Sequence, residues 1–219
     1  MLSFALLFAG CAPSRPTDVP NAHVVEKGVL IRSGQPTAVG LAELRDKYGV
    51  QTVINLNDAT TDEELVTAMS LGLDYVALPL WPYGLDRDKL VTFLAVIRQA
   101  EQDGRVPVLV HCRHGQDRTG AAAATYRVVE QGWSGDRAAR ELLRYQAWTH
   151  EIAFPHLDDV PREVEAKLAE WQEAVEERGD VPIIRPPVPW NPTKSTTQPG
   201  GMPPDNPARA SSRPSPLDI

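Results

Sequence analysis

An α/β fold with a mainly parallel central sheet flanked by helices is what this sequence predicts, and three observations carry the prediction. Short apolar, β-branched runs alternate with segments whose apolar residues recur every three or four positions, the pattern of parallel strands joined by crossover helices. The ten residues His111 to Gly120 join one such apolar run to a helix-forming stretch, as loops at the carboxyl edge of parallel sheets do. A length of 219 residues with 42% apolar content is enough for one domain with a full core plus appendages.

The elements follow in order. Thr37 to Tyr48 reads as helix, Gln51 to Leu56 as strand, Thr61 to Leu71 as helix and Tyr75 to Leu80 as strand, with Thr61 and Glu64 at capping-box spacing. Leu90, Phe93, Leu94 and Ile97 lie at helical spacing and predict a core-facing stripe. Val106 to Val110 is a buried strand and Ala121 to Val129 favours helix. Ser134 is placed to cap the helix that carries Leu142 and Leu143. Val160, Val164, Leu168, Trp171 and Val175 predict one last helix from about Asp159 to Glu177. There is no internal repeat.

Three regions are expected: residues 1–21 as a signal and tether, 22–179 as the folded domain, and 180–219 as a disordered tail. The tail holds 11 of the 20 prolines and few apolar residues beyond Val181 to Ile184, too few to offset the entropy of ordering. It carries four basic and three acidic residues, which leaves residues 1–179 with a net charge of −8. A body of that charge repels nucleic acid, which is therefore not an expected partner.

Met1 to Cys11, an apolar run followed by small residues and a lone cysteine, is too short to span a membrane and resembles a bacterial lipoprotein signal. The resemblance implies lipidation at Cys11, with Ala12 to Asn21 as a tether and the protein in the cell envelope, anchored to the membrane and facing the periplasm. The alternative is a buried apolar N-terminal segment. Cys11 and Cys112 are the only cysteines, and a thiol kept for chemistry is not a permanent disulfide partner.

Cys112 and Arg118 stand six positions apart in a loop placed at a helix N-terminus. Backbone N–H groups there lack intrahelical partners and the peptide dipoles add partial positive charge, so a phosphate can be cradled without a metal. The same field, with Arg118, favours a sulfur anion at Cys112, the nucleophilic form of the side chain. Arg118 offers a planar fork that grips two phosphoryl oxygens at once, which a lysine does not. Gly115 and Gly120 leave room where the backbone turns or approaches the ligand, and Thr119 is positioned to hydrogen-bond the sulfur. Arg113, His114, Gly115, Gln116, Thr119 and Gly120 are thus the expected phosphate-binding residues, and His111 orients the loop.

His111 to Gly120 resembles the signature of the cysteine-based protein tyrosine phosphatase superfamily, in its dual-specificity and atypical bacterial branches. Leu30-Ile31-Arg32-Ser33-Gly34-Gln35-Pro36, then Thr52 to Leu56, is similar to the opening of bacterial dual-specificity-like members, so the likeness spans roughly residues 28 to 150. It implies a protein tyrosine phosphatase-like fold and hydrolysis of phosphomonoesters on phosphoproteins or inositol-type phosphates. The route is a phosphocysteine intermediate with no cofactor and no metal.

The resemblance also requires a proton donor. Asp86 lies where the family carries its acid, although it equally suits an N-cap, and Asp88 a first-turn acid. Asp117 is the second candidate, because Asp117-Arg118-Thr119 resembles the loop of myotubularin-like lipid phosphatases; its structural alternative is to hold the loop's shape. Three other readings compete: a pseudophosphatase that binds phosphoryl groups without turnover, a rhodanese-like sulfurtransferase, and a zinc site at His111, Cys112 and His114. The Arg-Thr-Gly ending of the loop disfavours sulfur transfer, and no second ligand pair supports zinc.

Overall fold

The computed structural model describes residues 18–58, 62–81, 86–145, 156–179 and 181–191. Five strands build one sheet: β1 (His23–Glu26), β2 (Leu30–Gly34), β3 (Thr52–Asn55), β4 (Asp74–Ala77) and β5 (Val108–Cys112). Their order is β1-β2-β5-β3-β4, with β1 antiparallel at one edge and every other pairing parallel. Seven α-helices are described: α1 (Ala38–Tyr48), α2 (Asp62–Ser70), α3 (Arg87–Gln102), α4 (Asp117–Val129), α5 (Gly135–Tyr145), α6 (Val160–Ala166) and α7 (Leu168–Glu177).

The period of two along each strand divides the core between two faces. Leu30, Val108, Val110, Cys112, Ile54 and Val76 share one face, packed under α3 and α4 with Phe93, Leu94, Ala122 and Ala123. Ile31, Leu109, Val53 and Tyr75 share the other, covered by Leu41 and Leu44 of α1 and Ala68 of α2. The sheet is thus helix-covered on both sides, as the alternating pattern predicts. All five residues of β5 are buried, and it lies between two parallel neighbours, which explains the apolar run Val108 to Val110.

Helix starts are set by side chains. Thr37 Oγ1 accepts from Gly40 N at 3.1 Å, Asp86 Oδ1 from Lys89 N at 3.2 Å and Ser134 Oγ from Arg137 N at 3.3 Å. Among the described residues no helix is long and apolar enough to cross a membrane.

Two expectations need correction, a third rests in part on a residue outside those described, and one element was not anticipated. The single helix over 159–177 is broken at Lys167 (φ −122°, ψ 29°), because Val160 and Val164 pack with α4 and α5 while the part after the break packs on α3. Thr61 lies outside the described residues, and Glu64 is turned into the core rather than back along its helix, so no capping box is described. The hairpin of β1 and β2 is not visible as two strands in the sequence; it is the surroundings that impose it, since every β2 residue is buried.

The second correction concerns the tail. Residues 181–191 belong to the fold: Ile184 exchanges hydrogen bonds with Tyr75 at 2.8 and 2.9 Å, and Trp190 N donates to Gly72 O at 2.9 Å. Arg185 pairs with Asp74 and Asp103. This short extended segment covers the otherwise open edge of β4, where unpaired backbone groups would be left. Proline density misleads here because proline disfavours regular elements, not the extended backbone that an edge cover uses. The rest of the expected tail, 180 and 192–219, lies outside the described residues, as do Cys11 and the tether to residue 17.

Candidate active site

β5 ends at Cys112 and α4 begins at Asp117, so the loop between them sits at the carboxyl edge of the sheet's central strand. Gln116 occupies the cap of α4 without a side-chain cap hydrogen bond, unlike the caps of α1 and α3. The first-turn amides of α4 are therefore not occupied by a capping side chain.

The direction of the loop amides follows from where their carbonyls go. Arg113 O accepts from Gln35 N at 3.2 Å, His114 O from Asn21 Nδ2 at 2.7 Å and Gly115 O from Arg32 Nη2 at 2.8 Å. All three acceptances tie the loop to the β1–β2 side of the sheet. In a trans peptide the N–H points opposite to the C=O, so the amides of His114, Gly115 and Gln116 face away from that side. Gly115 is obligatory: its φ is +71°, and a Cβ there would stand 2.4 Å from Gly34 N and 2.5 Å from Ser33 C.

Arg118 is 14% exposed at its side chain, and its Nη1 donates to Leu56 O at 3.3 Å and to Asp58 Oδ1 at 3.0 Å. Cys112 is free and 3% exposed. Arg113 and His114 are exposed, Gln116 is half-buried, and Thr119 and Gly120 are buried in α4. Thr119 Oγ1 is buried without a hydrogen-bond partner, so the expected bond to the sulfur is not made in this arrangement.

Residues 20–155 match the family described as PTP-SAK, Swiss Army Knife protein, DSP-PTPase phosphatase domain. The chain belongs to this family. Its relatives include the dual specificity protein phosphatase TpbA of Pseudomonas aeruginosa, 35% identical over 115 residues that make up 52% of this chain and 50% of that protein. The chain thus spans about half the length of the curated relatives it matches. The crystal structure of P. aeruginosa TpbA superposes with a TM-score of 0.59 at 25% identity, covering 74% of this chain and 98% of that one. A variant form of TpbA in complex with pTyr gives a TM-score of 0.56 at 24% identity, covering 75% and 100%.

In this DSP-PTPase domain the two acid candidates lie in different settings. Asp86 caps α3, with its side chain 39% exposed and its second oxygen 3.5 Å from Lys89 Nζ. Six residues before it, Leu80 N donates to the same Leu56 O that accepts from Arg118. Asp117 is 8% exposed in the first turn of α4. Asp88 is held by Arg178 on the far end of α7. Of the tryptophans, Trp81 is 61% exposed next to Leu80, whereas Trp133 lies between the guanidinium groups of Arg127 and Arg137. Trp148 lies outside the described residues.

A buried polar group supports the loop from the opposite face. His111 and Cys112 are neighbours on a strand and so point to opposite sides of the sheet, which removes the zinc arrangement with His114. His111 is fully buried, with Nε2 2.6 Å from Glu64 Oε1 although not aligned as a hydrogen bond. Glu64 Oε2 accepts from Asn55 Nδ2 at 2.5 Å, Gln35 Nε2 at 3.0 Å and the Tyr75 hydroxyl at 3.3 Å. Burial, with the nearby Glu64 charge, pushes the Tyr75 phenol up to about 12, so it remains a neutral donor. Asn21, Arg32, Gln35, Asp58 and Glu64 were not apparent as site residues from composition or periodicity. The run Leu30 to Pro36 was the one signal that pointed to two of them.

Proposed function

We propose that this chain hydrolyses phosphomonoesters, with Cys112 as nucleophile, Arg118 as phosphate clamp and Asp86 as proton donor. The observation that carries the reading is the tethering of three successive loop carbonyls to Gln35, Asn21 and Arg32, which leaves the opposing amides of His114, Gly115 and Gln116 turned away from those anchors, an arrangement suited to an anion. Arg118 completes it. A docking phosphate competes with Asp58 for the guanidinium, and because Asp58 is 60% exposed that pair is weak and gives way.

In the first step the Cys112 sulfur anion forms a bond to phosphorus as the bond from phosphorus to the ester oxygen breaks. The departing oxygen takes the proton of the Asp86 carboxyl group. Water then attacks the phosphocysteine, gives its proton to the Asp86 carboxylate, and releases inorganic phosphate as the sulfur–phosphorus bond breaks. Asp86 is favoured over Asp117 because its carboxylate is 39% exposed and open to a substrate arriving from solvent, while Asp117 is buried in the first turn of α4.

The preferred substrates in this reading are phosphotyrosine and phosphoserine or phosphothreonine in proteins. The name of the TpbA relative supports this choice, as does a rim on which Arg113 and His114 are exposed to an acidic phosphopeptide. A phosphate-release screen over phosphopeptides, inositol phosphates and phosphoinositides tests it, with Cys112→Ser as the blank. Release should be fastest from phosphotyrosine peptides. Release confined to inositol phosphates would overturn the substrate class, and capture without release from any compound would identify a binding module instead.

The anchoring reading is also a proposal: the apolar run ending at Cys11 supports lipidation and a periplasm-facing position. In a bacterial host, the full chain should take up labelled fatty acid and sediment with membranes. Cys11→Ala should do neither, and equal labelling of both forms would contradict the assignment.

A further inference from the structure

Arg32 is an unusual residue to find inside a sheet. It is 1% exposed, and its position opposite Val110 in the β2–β5 register places it on the same face as Cys112. Its Nη2 donates to Gly115 O at 2.8 Å and stands 3.6 Å from where a Cβ of Gly120 would be, beneath the turn that leads into α4. The guanidinium lies 4.4 Å from the centre of the Tyr145 ring, and its Nε has no hydrogen-bond partner. Among the described residues no carboxylate is within ion-pair distance of it.

A buried guanidinium costs desolvation and normally keeps a carboxylate beside it. Here the helix end next to it is itself positive, which makes the placement worse in the absence of an anion. The groups around it are His23 on β1, Arg127 on α4, and Glu141 and Tyr145 on α5. Burial pushes the guanidinium down from its ordinary range, while the charges of Tyr145, Glu141 and Cys112 favour the cation and Arg127 opposes it. The β2–β5 register and the bond to Gly115 O put this cation and the Cys112 side chain on one face of the sheet, beneath the same loop.

We propose that Arg32 is a positioning residue that supplies the buried counter-charge of the Cys112 sulfur anion and fixes the phosphate loop through Gly115, an inference resting on Cys112 as the nucleophile. It serves both tasks without touching substrate. The bond to Gly115 O holds one of the three tethered carbonyls, and the charge lies under the loop where solvent does not screen it.

Two variants separate charge from hydrogen bonding: Arg32→Gln keeps a donor for Gly115 O without charge, and Arg32→Lys keeps charge without the fork. Thermal unfolding shows whether each is folded, and the pH profile of Cys112 alkylation by iodoacetamide reads the sulfur anion without using turnover. Arg32→Gln should be alkylated about tenfold more slowly at neutral pH and reach the wild-type rate only at higher pH. Arg32→Lys should restore the profile yet bind vanadate about tenfold more weakly than wild type, the loss of about 1.4 kcal/mol of loop positioning. A folded Arg32→Gln with the wild-type profile would overturn the counter-charge, and Arg32→Lys with wild-type vanadate affinity would overturn the loop tether. If Arg32→Gln does not fold, the Lys variant decides alone. Loss of its alkylation profile despite a retained cation would overturn the proposal. Should alkylation leave hydrolysis intact, the nucleophile assignment fails instead, which keeps the two failures apart.

Discussion

Cys112→Ser is expected to lose phosphate release by at least about four orders of magnitude in kcat, the scale seen when a covalent nucleophile is removed. A serine hydroxyl at the end of β5 is not ionised by the field that favours a sulfur anion, so the first bond to phosphorus does not form. Binding should survive. The carbonyls of Arg113, His114 and Gly115 are held by Gln35, Asn21 and Arg32 through hydrogen bonds that do not involve the sulfur, so the amides keep their direction. The variant should therefore hold a phosphotyrosine peptide with wild-type affinity within a few-fold. Equal loss of binding and turnover would mean that the sulfur supports the loop rather than attacking phosphorus.

Asp86→Asn is expected to lower turnover of an ester with a poor leaving group by about 10²–10⁴-fold, the usual contribution of a positioned acid. An activated aryl phosphate should lose far less, because its leaving oxygen needs little protonation. The substitution is informative because asparagine caps a helix as well as aspartate does, so α3 should keep its N-terminus and the unfolding temperature should not change. Asp117→Asn should change turnover by no more than a few-fold for either leaving group. If Asp117→Asn instead shows the leaving-group dependence, the donor is the buried aspartate of α4 and the role of Asp86 is confined to its cap.

How much of this was legible in the sequence depends on the range of the interaction. The strand at Val108, the helices from Ala38 and Arg87, and the cap at Ser134 are encoded by local periodicity and capping chemistry, and they lie within a residue or two of where the pattern places them. The loop was legible for the same reason, since Cys112, Gly115, Arg118 and Gly120 are neighbours in the chain. What holds the loop was not. Asn21 and Arg32 act across 93 and 83 positions, and Arg118 meets Asp58 across 60, separations that no local pattern reports. Glu64 shows the difficulty well: its spacing from Thr61 suits a capping box, but a buried carboxylate beside His111, Asn55 and Tyr75 satisfies more partners than a helix end offers. Proline-rich 181–191 was misread because edge cover depends on the open side of β4, a feature of the folded sheet alone.

Arg32 and Glu64 also show how the loop is held. One side chain holds it from the α4 face and the other approaches His111 from the face of α1 and α2, so the strand that carries the sulfur is fixed between two buried polar groups. Preorganised amides of this kind favour charge on phosphorus oxygens without reorganising during the reaction.

During hydrolysis the phosphoryl group is expected to pass through the Cys112 sulfur. Acid quenching of Asp86→Asn during turnover of p-nitrophenyl phosphate, followed by digestion and mass analysis, tests it most directly. One phosphoryl group is expected on the peptide that contains Cys112. A peptide that stays unmodified through steady phosphate release, or a phosphoryl group found on another residue, would contradict it.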